Sequence, residues 1–361
     1  MRVAITCHLK DDGSFGLFET GVRQTAVFLY KLLRQASVEA FLVYGPGERE
    51  VKHDPREFGV DPSHVLPFLE NCSHVVTVSR KMTDQERHDY RTSGASSVLL
   101  KCAPTTLATM QQLCARTDVG AESYEDRGWY DEVWIMPHVV KTQLRWCELV
   151  YKSPVKVVPH IWDPTFVPQG YGYKRQVDQL FRVAVMEPNE SVTRTAHWPL
   201  MVVARGLERT SMIGQVSVLN AAHLKDDTHF MAFVDRLGLY DNSARLRTHL
   251  HGRLVGPSWF RDNADVLVTH SWENDMHYTM FEALFGGYPV VHSSKLMETH
   301  GYYYPTFDAS SGGIQLARVC AIDSGRHDPE RTVAQFKEFM PDLQNATAFV
   351  DKLSKIRQEK P

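Results

Sequence analysis

Residues 265–294, DVLVTHSWENDMHYTMFEALFGGYPVVHSS, constrain the fold more than any other part of this 361-residue chain. The segment opens on a continuous apolar run, Val266-Leu267-Val268, which predicts a strand buried on both faces. A polar loop leads into residues at helical spacing: Met276, Met280, Phe281, Leu284 and Phe285. Gly286-Gly287 stops that helix, and Tyr288-Pro289-Val290-Val291 begins another strand. Strand, loop, helix, strand is one repeat of a parallel α/β sheet, where ligands sit beyond the carboxyl ends of the strands. His270, Glu273, Asn274, Asp275 and His277 fall on that edge, beside a helix N-terminus that favours anions.

The same alternation runs along the rest of the chain. In the first half, apolar runs at 2–8, 38–44, 74–79, 97–102, 132–136 and 155–158 predict strands. Helical spacing after Thr20, with Thr20 or Glu19 as its cap, and at 82–92, 104–114 and up to 150 predicts helices between them. Residues 159–172 carry three prolines and two glycines and mark a connection between domains. Strands at 181–186, 215–220 and 247–251 and helices at 195–208, 228–237, 312–320 and 332–355 follow it. A chain of this length exceeds the ~250–300 residues at which one core stops growing, so two doubly wound parallel-sheet domains are expected.

At this point the chain resembles a known group. Glu282-Ala283-Leu284-Phe285-Gly286-Gly287-Tyr288-Pro289-Val290-Val291 is similar to the second half of a signature of retaining, glycogen-synthase-like glycosyltransferases of the GT-B type. The resemblance implies a GT-B fold, two Rossmann-like domains facing across a cleft. It implies an acceptor-side domain at 1–162, a nucleotide-sugar domain at 163–335 and a final segment, 336–361, crossing back to the first. In that group the second Glu of the signature binds the donor ribose, a role carried over to Glu282. The first Glu has no match, because Asn274 stands eight residues before Glu282 and the acid Glu273 is one position early. Either the loop holds an extra residue and Glu273 reaches the donor sugar, or that contact is lost. Nearly the whole chain is also similar to a family of uncharacterised proteins from bacteria and their phages, through stretches such as VPHIWDP, MEPNESVTRT and GYYYPTFDASSGG.

Further roles are expected on the same basis. Arg194 is the only base in the loop 187–194, where the group neutralises the donor diphosphate, and an Arg fork suits two phosphate oxygens. Arg253, His270, Asn274 and His277 complete the expected donor contacts. His8, at the end of the first strand, pairs with Glu273 as the candidate catalytic groups. Gly13 and Gly16 form a loop for the diphosphate or the acceptor, although they do not match G-x-G-x-x-G. No Asp-x-Asp triad is present, so a metal-bridged donor is not expected and no cofactor beyond a UDP-linked sugar is called for.

Composition excludes little further. Charged residues make up 23% of the chain, and the net charge of −3 gives no global attraction to nucleic acid. Local basic clusters remain, Arg80-Lys81 with Arg87 and Arg91, and Lys141, Arg145 and Lys152. They leave open a DNA acceptor bearing hydroxymethyl-pyrimidines. Six scattered cysteines without a C-x-x-C pair read as reduced thiols. The first residues read as a strand and no apolar run approaches ~20 residues, so a cytoplasmic location is expected. The leading expectation is sugar transfer from a nucleotide sugar to a hydroxyl. A nucleotide-sugar epimerase and a non-catalytic binding protein of the same fold are the alternatives.

Overall fold

A computed structural model describes residues 1–9, 16–46, 53–115, 128–174, 179–239, 247–321 and 327–358. The chain divides into two compact units, residues 1–165 with 340–361, and residues 166–339.

The first unit begins with β1 (Arg2–Thr6), whose Val3, Ala4 and Ile5 are wholly buried. The Thr20 hydroxyl accepts from Arg23 N–H at 3.3 Å and so caps α1 (Gly21–Gln35), which leads to β2 (Glu39–Val43) and the short β3 (Val65–Leu66). Then come β4 (His74–Thr77), α2 (Asp84–Thr92), β5 (Ser96–Lys101), α3 (Thr105–Ala115), β6 (Glu132–Ile135), α4 (Val140–Tyr151) and β7 (Val155–Val157). Every pair is parallel, in the order β3-β2-β1-β4-β5-β6-β7. A parallel sheet with helical crossovers needs apolar residues on both strand faces, which is why the strands read as unbroken apolar runs.

The second unit holds β8 (Phe181–Val185), α5 (His197–Leu207), β9 (Ile213–Val218), α6 (Thr228–Arg236), β10 (Arg247–Leu250) and α7 (Gly256–Asn263). It continues through β11 (Val266–Val268), α8 (Tyr278–Phe285), β12 (Val290–His292), β13 (Tyr302–Tyr303), α9 (Ala309–Val319) and α10 (Pro329–Phe339). Its strands are again parallel, in the order β10-β9-β8-β11-β12-β13. Side chains alternate across this sheet. Val183, Val185, Val266 and Val268 share a core with Leu200, Phe230 and Leu316 of α5, α6 and α9. Against the other face, α8 packs with α7 and α10.

The single amphipathic helix expected at 332–355 is two helices. α10 ends at Phe339 and α11 (Leu343–Gln358) starts after Pro341, whose ring clashes with a continuing helix and whose nitrogen has no proton to donate. α11 belongs to the first unit. Its Phe349 ring meets the buried Trp134 at 5.6 Å, and His74 Nε2–H donates to the Leu353 carbonyl at 2.8 Å.

α5 and α9 cross unusually closely, and glycine explains how. A Cβ on Gly313 would lie 2.4 Å from Arg205 Cβ and 2.9 Å from Gly206 N. Glycine inside a helix costs roughly 1 kcal/mol against alanine, so its presence here reflects contact and not helix preference. Gly313→Ala should therefore destabilise the protein by about 1–3 kcal/mol despite the better helix former, as overpacking does. Urea denaturation checks this, and an unchanged or raised midpoint would remove the close-approach explanation.

Candidate functional site

The carboxyl edge of the second sheet is built around a carboxylate. Glu187 lies two residues beyond the end of β8 and has no exposed surface. Its Oε2 accepts from Arg194 Nε at 2.5 Å, and its Oε1 accepts from the Thr269 hydroxyl at 2.5 Å and from His270 N–H at 3.1 Å. Arg194 Nη2 donates to His277 Nε2, so that ring nitrogen carries no proton. His277 Nδ1–H then donates to Thr269 Oγ1 at 3.0 Å and closes the circuit. Burial and the Arg194 charge both hold His277 well below the usual histidine range, which keeps it neutral. The loop between Glu187 and Arg194 is pinned by Asn189, a residue type that tolerates its left-handed φ of 56°. Asn189 Oδ1 accepts from Ala196 N–H at 2.7 Å, while its amide donates to the carbonyls of Glu187, Leu219 and Asn220.

Glu282 presents the opposite situation. It lies in the middle of α8, is 5% exposed, and among the described residues its carboxyl makes no hydrogen bond. Burial alone pushes it up to about 8. It faces the first turn of α7, where a Cβ on Gly256 would come 3.6 Å from Glu282 Oε2. Neither the start of α7, at Val255, nor that of α8, at His277, has a side-chain cap. Helix N–H groups left open beside a buried carboxyl offer complementary partners to a ligand carrying both hydroxyls and anionic oxygens.

The structure distributes the expected site residues unevenly. Arg194 and His277 meet in the Glu187 circuit, a partnership not foreseen. His270 turns its ring away from it, stacking on Trp198 at 5.5 Å, and its Nδ1–H donates to Tyr304 Oη at 3.1 Å. Its Nε2 is buried without a partner among the described residues, and burial lowers the ring to about 4. Glu273 adopts a left-handed backbone, φ 53°, and is half-buried, as is Asn274. Arg253 pairs with Glu190 at 2.9 Å. In the first unit, His8 N–H donates to Ser79 Oγ at 2.9 Å just past β1. The Gly16 carbonyl accepts from Arg23 Nη1 at 3.1 Å, and Gly13 lies outside the described residues. Glu187, Thr269 and Gly256 were passed over. The available signal for Glu187 was an acid closing an apolar strand seven residues before an arginine. Among the described residues, no group of three His, Cys, Asp or Glu is placed to hold a metal, and no helix is long and apolar enough to cross a membrane.

Two units, each a doubly wound parallel sheet, give this chain the fold of the GT-B glycosyltransferases. It matches sucrose-phosphate synthase from Thermosynechococcus elongatus at 12% identity and TM-score 0.59, over 100% of both chains. It matches Anabaena Alr3699/HepE in complex with UDP and glucose at 12% identity and TM-score 0.60, over 98% of this chain and 100% of that one. An α-glucosyltransferase in complex with UDP and a 13-mer DNA containing an HMU base matches at 12% and 0.60, over 99% and 100%. No curated protein matches the sequence. By sequence the chain belongs to the family described as "Protein of unknown function (DUF2827)", whose model matches residues 3–346.

Two predictions follow from the opposed states of the two carboxyls. Arg194→Ala leaves Glu187 charged and unpaired in the interior, which should cost roughly 3–5 kcal/mol of stability. Pairing Arg194→Met with Glu187→Gln should restore most of it. Chemical denaturation of both variants checks this, and a single variant within ~1 kcal/mol of the native protein would mean the pair is not truly buried. For Glu282 the folded state keeps a proton that the unfolded chain loses near 4.5. Its contribution is thus fully present below about pH 4.5 and is lost as pH rises toward 8. Glu282→Gln should flatten that fall between about pH 5 and 8. Equal pH slopes in the two proteins would show that the carboxyl ionises freely.

Proposed function

We propose that this protein is a glycosyltransferase that moves a sugar from a nucleotide sugar, UDP-linked by preference, to an acceptor hydroxyl. The observation that carries this reading is Glu282, a buried carboxyl without a hydrogen-bond partner among the described residues, set against the open first turn of α7. A vicinal pair of ribose hydroxyls donating to it would supply the hydrogen bonds that the protein does not. The diphosphate would lie toward the uncapped start of α8, whose N–H groups stabilise the negative charge that grows as the sugar leaves. In this reading Arg194 acts from beneath, holding His277 at the first residue of that loop-to-helix turn, and Glu187 keeps Arg194 in place. The match to structures holding UDP supports the choice of nucleotide.

The acceptor is the finer part of the proposal. A neighbour solved with HMU-containing DNA makes hydroxymethyl-pyrimidines one class to test. The basic clusters singled out for DNA weaken that choice. Arg80 is buried in a two-bond pair with Glu86, at 2.9 and 2.8 Å, while Arg87 is paired with Asp84 and Arg145 with Glu148. Among the described residues, these three guanidiniums already have carboxylate partners, so fewer charges face phosphates than the sequence suggests.

The test is incubation with radiolabelled UDP-sugars and a panel of acceptors, including duplexes with hydroxymethyl-uracil and hydroxymethyl-cytosine. Transfer of label with release of UDP is expected. Isomerised UDP-sugar would identify an epimerase, and binding without turnover a non-catalytic protein. Glu282→Ala should weaken UDP by at least about tenfold, the loss expected from a charge-assisted hydrogen bond of ~1.5–3 kcal/mol. Equal affinity would remove Glu282 from the nucleotide site.

A further inference from the structure

A second site lies on the face of the sheet away from Glu282. Between α5, the end of α6 and the start of α9 the second unit forms an open surface cavity of about 670 Å³. That volume falls in the ~300–1,000 Å³ range of small-molecule sites. One wall is Phe307, and its geometry is abnormal in two ways. Its φ of 67° is left-handed, a conformation that bulky side chains rarely adopt. The residue is also 46% exposed, although aromatic partners are adjacent: Trp198 at 4.9 Å, His270 at 5.1 Å and Trp272 at 5.9 Å. Backbone strain held in place by an aromatic cluster, with the residue still presented to solvent at a cavity wall, is the pattern of a binding surface and not of a core.

The chemistry of the cavity narrows what it takes. Met201, Leu207 and Leu237 supply apolar surface, while Arg205, Arg236, Glu208 and Asp308 supply two charges of each sign. Arg205 is already paired with Glu208 at 2.8 Å, and the Asp308 carboxylate is already bonded to Ser311 N–H and Oγ at 2.9 and 2.6 Å. A free anion therefore meets acids as well as bases, and an alkyl chain meets charged groups that it would desolvate. A neutral ring with hydroxyls on its edge and C–H groups on its face suits both features. Its C–H groups pack on the negative face of the Phe307 ring, and its hydroxyls can bond charged groups of either sign without adding a charge of their own.

We infer that this cavity is a carbohydrate-binding site, with Phe307 as the stacking platform for a neutral pyranose. It is separate from the nucleotide site, since Val266 and Val268 point to the α5, α6 and α9 face while α8, which bears Glu282, packs on the other. The inference does not depend on sugar transfer. A protein that binds no nucleotide can still bind here, and one that transfers sugar can lack this site.

The experiment is calorimetric titration of the full chain with maltotriose, cellotriose and chitotriose, in parallel with UDP. At least one trisaccharide should bind. Phe307→Gly removes the ring and relieves the left-handed backbone, so the variant should fold at least as well as the native chain. It should lose more than about tenfold in trisaccharide affinity while keeping its affinity for UDP. Phe307→Trp should retain trisaccharide binding. No binding by any of the three sugars, or binding that Phe307→Gly leaves within about twofold, overturns the site.

Discussion

A charge removed from water organises the second unit. Glu187 has no solvent contact, and the penalty for burying an ion is several kcal/mol unless its partners are complete. Completion requires Arg194 from seven residues on, and Thr269 and the His270 amide from more than eighty residues on. His277 then serves Arg194 and Thr269 together. The partners come from two loops at the carboxyl edge, the one after β8 and the one between β11 and α8, so one requirement fixes the end of β8, the end of β11 and the entry to α8 at once. Glu282 stands little more than a turn beyond His277, and its position is inherited from that circuit.

The two faces of the sheet have been given different chemistry. On the α8 side a carboxyl is left without a partner among the described residues, and two helix starts are left without side-chain caps. Such groups gain from a ligand with donors and anionic oxygens. On the α5 and α9 side, glycine contact brings the helices together, and aromatic rings fill the space around His270. What remains open there is a ring face and a set of balanced charges. A polar, partly anionic ligand fits the first and a neutral one the second.

The architecture was legible because its cause is local. Apolar runs of four to seven residues alternating with helical spacing can satisfy their burial only in a parallel sheet, and each strand pairs accordingly. Thr20 and Gly286 announced a helix start and a helix end by their own chemistry. Pro341 carried equal information, yet the amphipathic period on either side of it concealed the break. α7 was overlooked although Pro257 stands in its first turn, the place proline favours. The site was legible only in part, because its contacts span long separations. Glu282 could be singled out by its spacing to Gly-x-Pro. That Arg194 would be held by Glu187 depends on sheet order, and that Phe307 is strained depends on a dihedral that no residue pattern displays.

The central claim is that Glu282 receives the hydroxyls of a nucleotide. Near neutral pH this carboxyl, pushed up to about 8, is mostly protonated in the free protein. Hydroxyl donors favour its charged form, so a bound ribose should expel the proton. Titrating UDP by calorimetry in buffers of different ionisation enthalpy measures that proton directly. The account predicts release of up to about one proton per UDP at neutral pH by the native protein and none by Glu282→Gln. UDP binding with the same heat in every buffer would contradict it, because the carboxyl would then be untouched by the ligand.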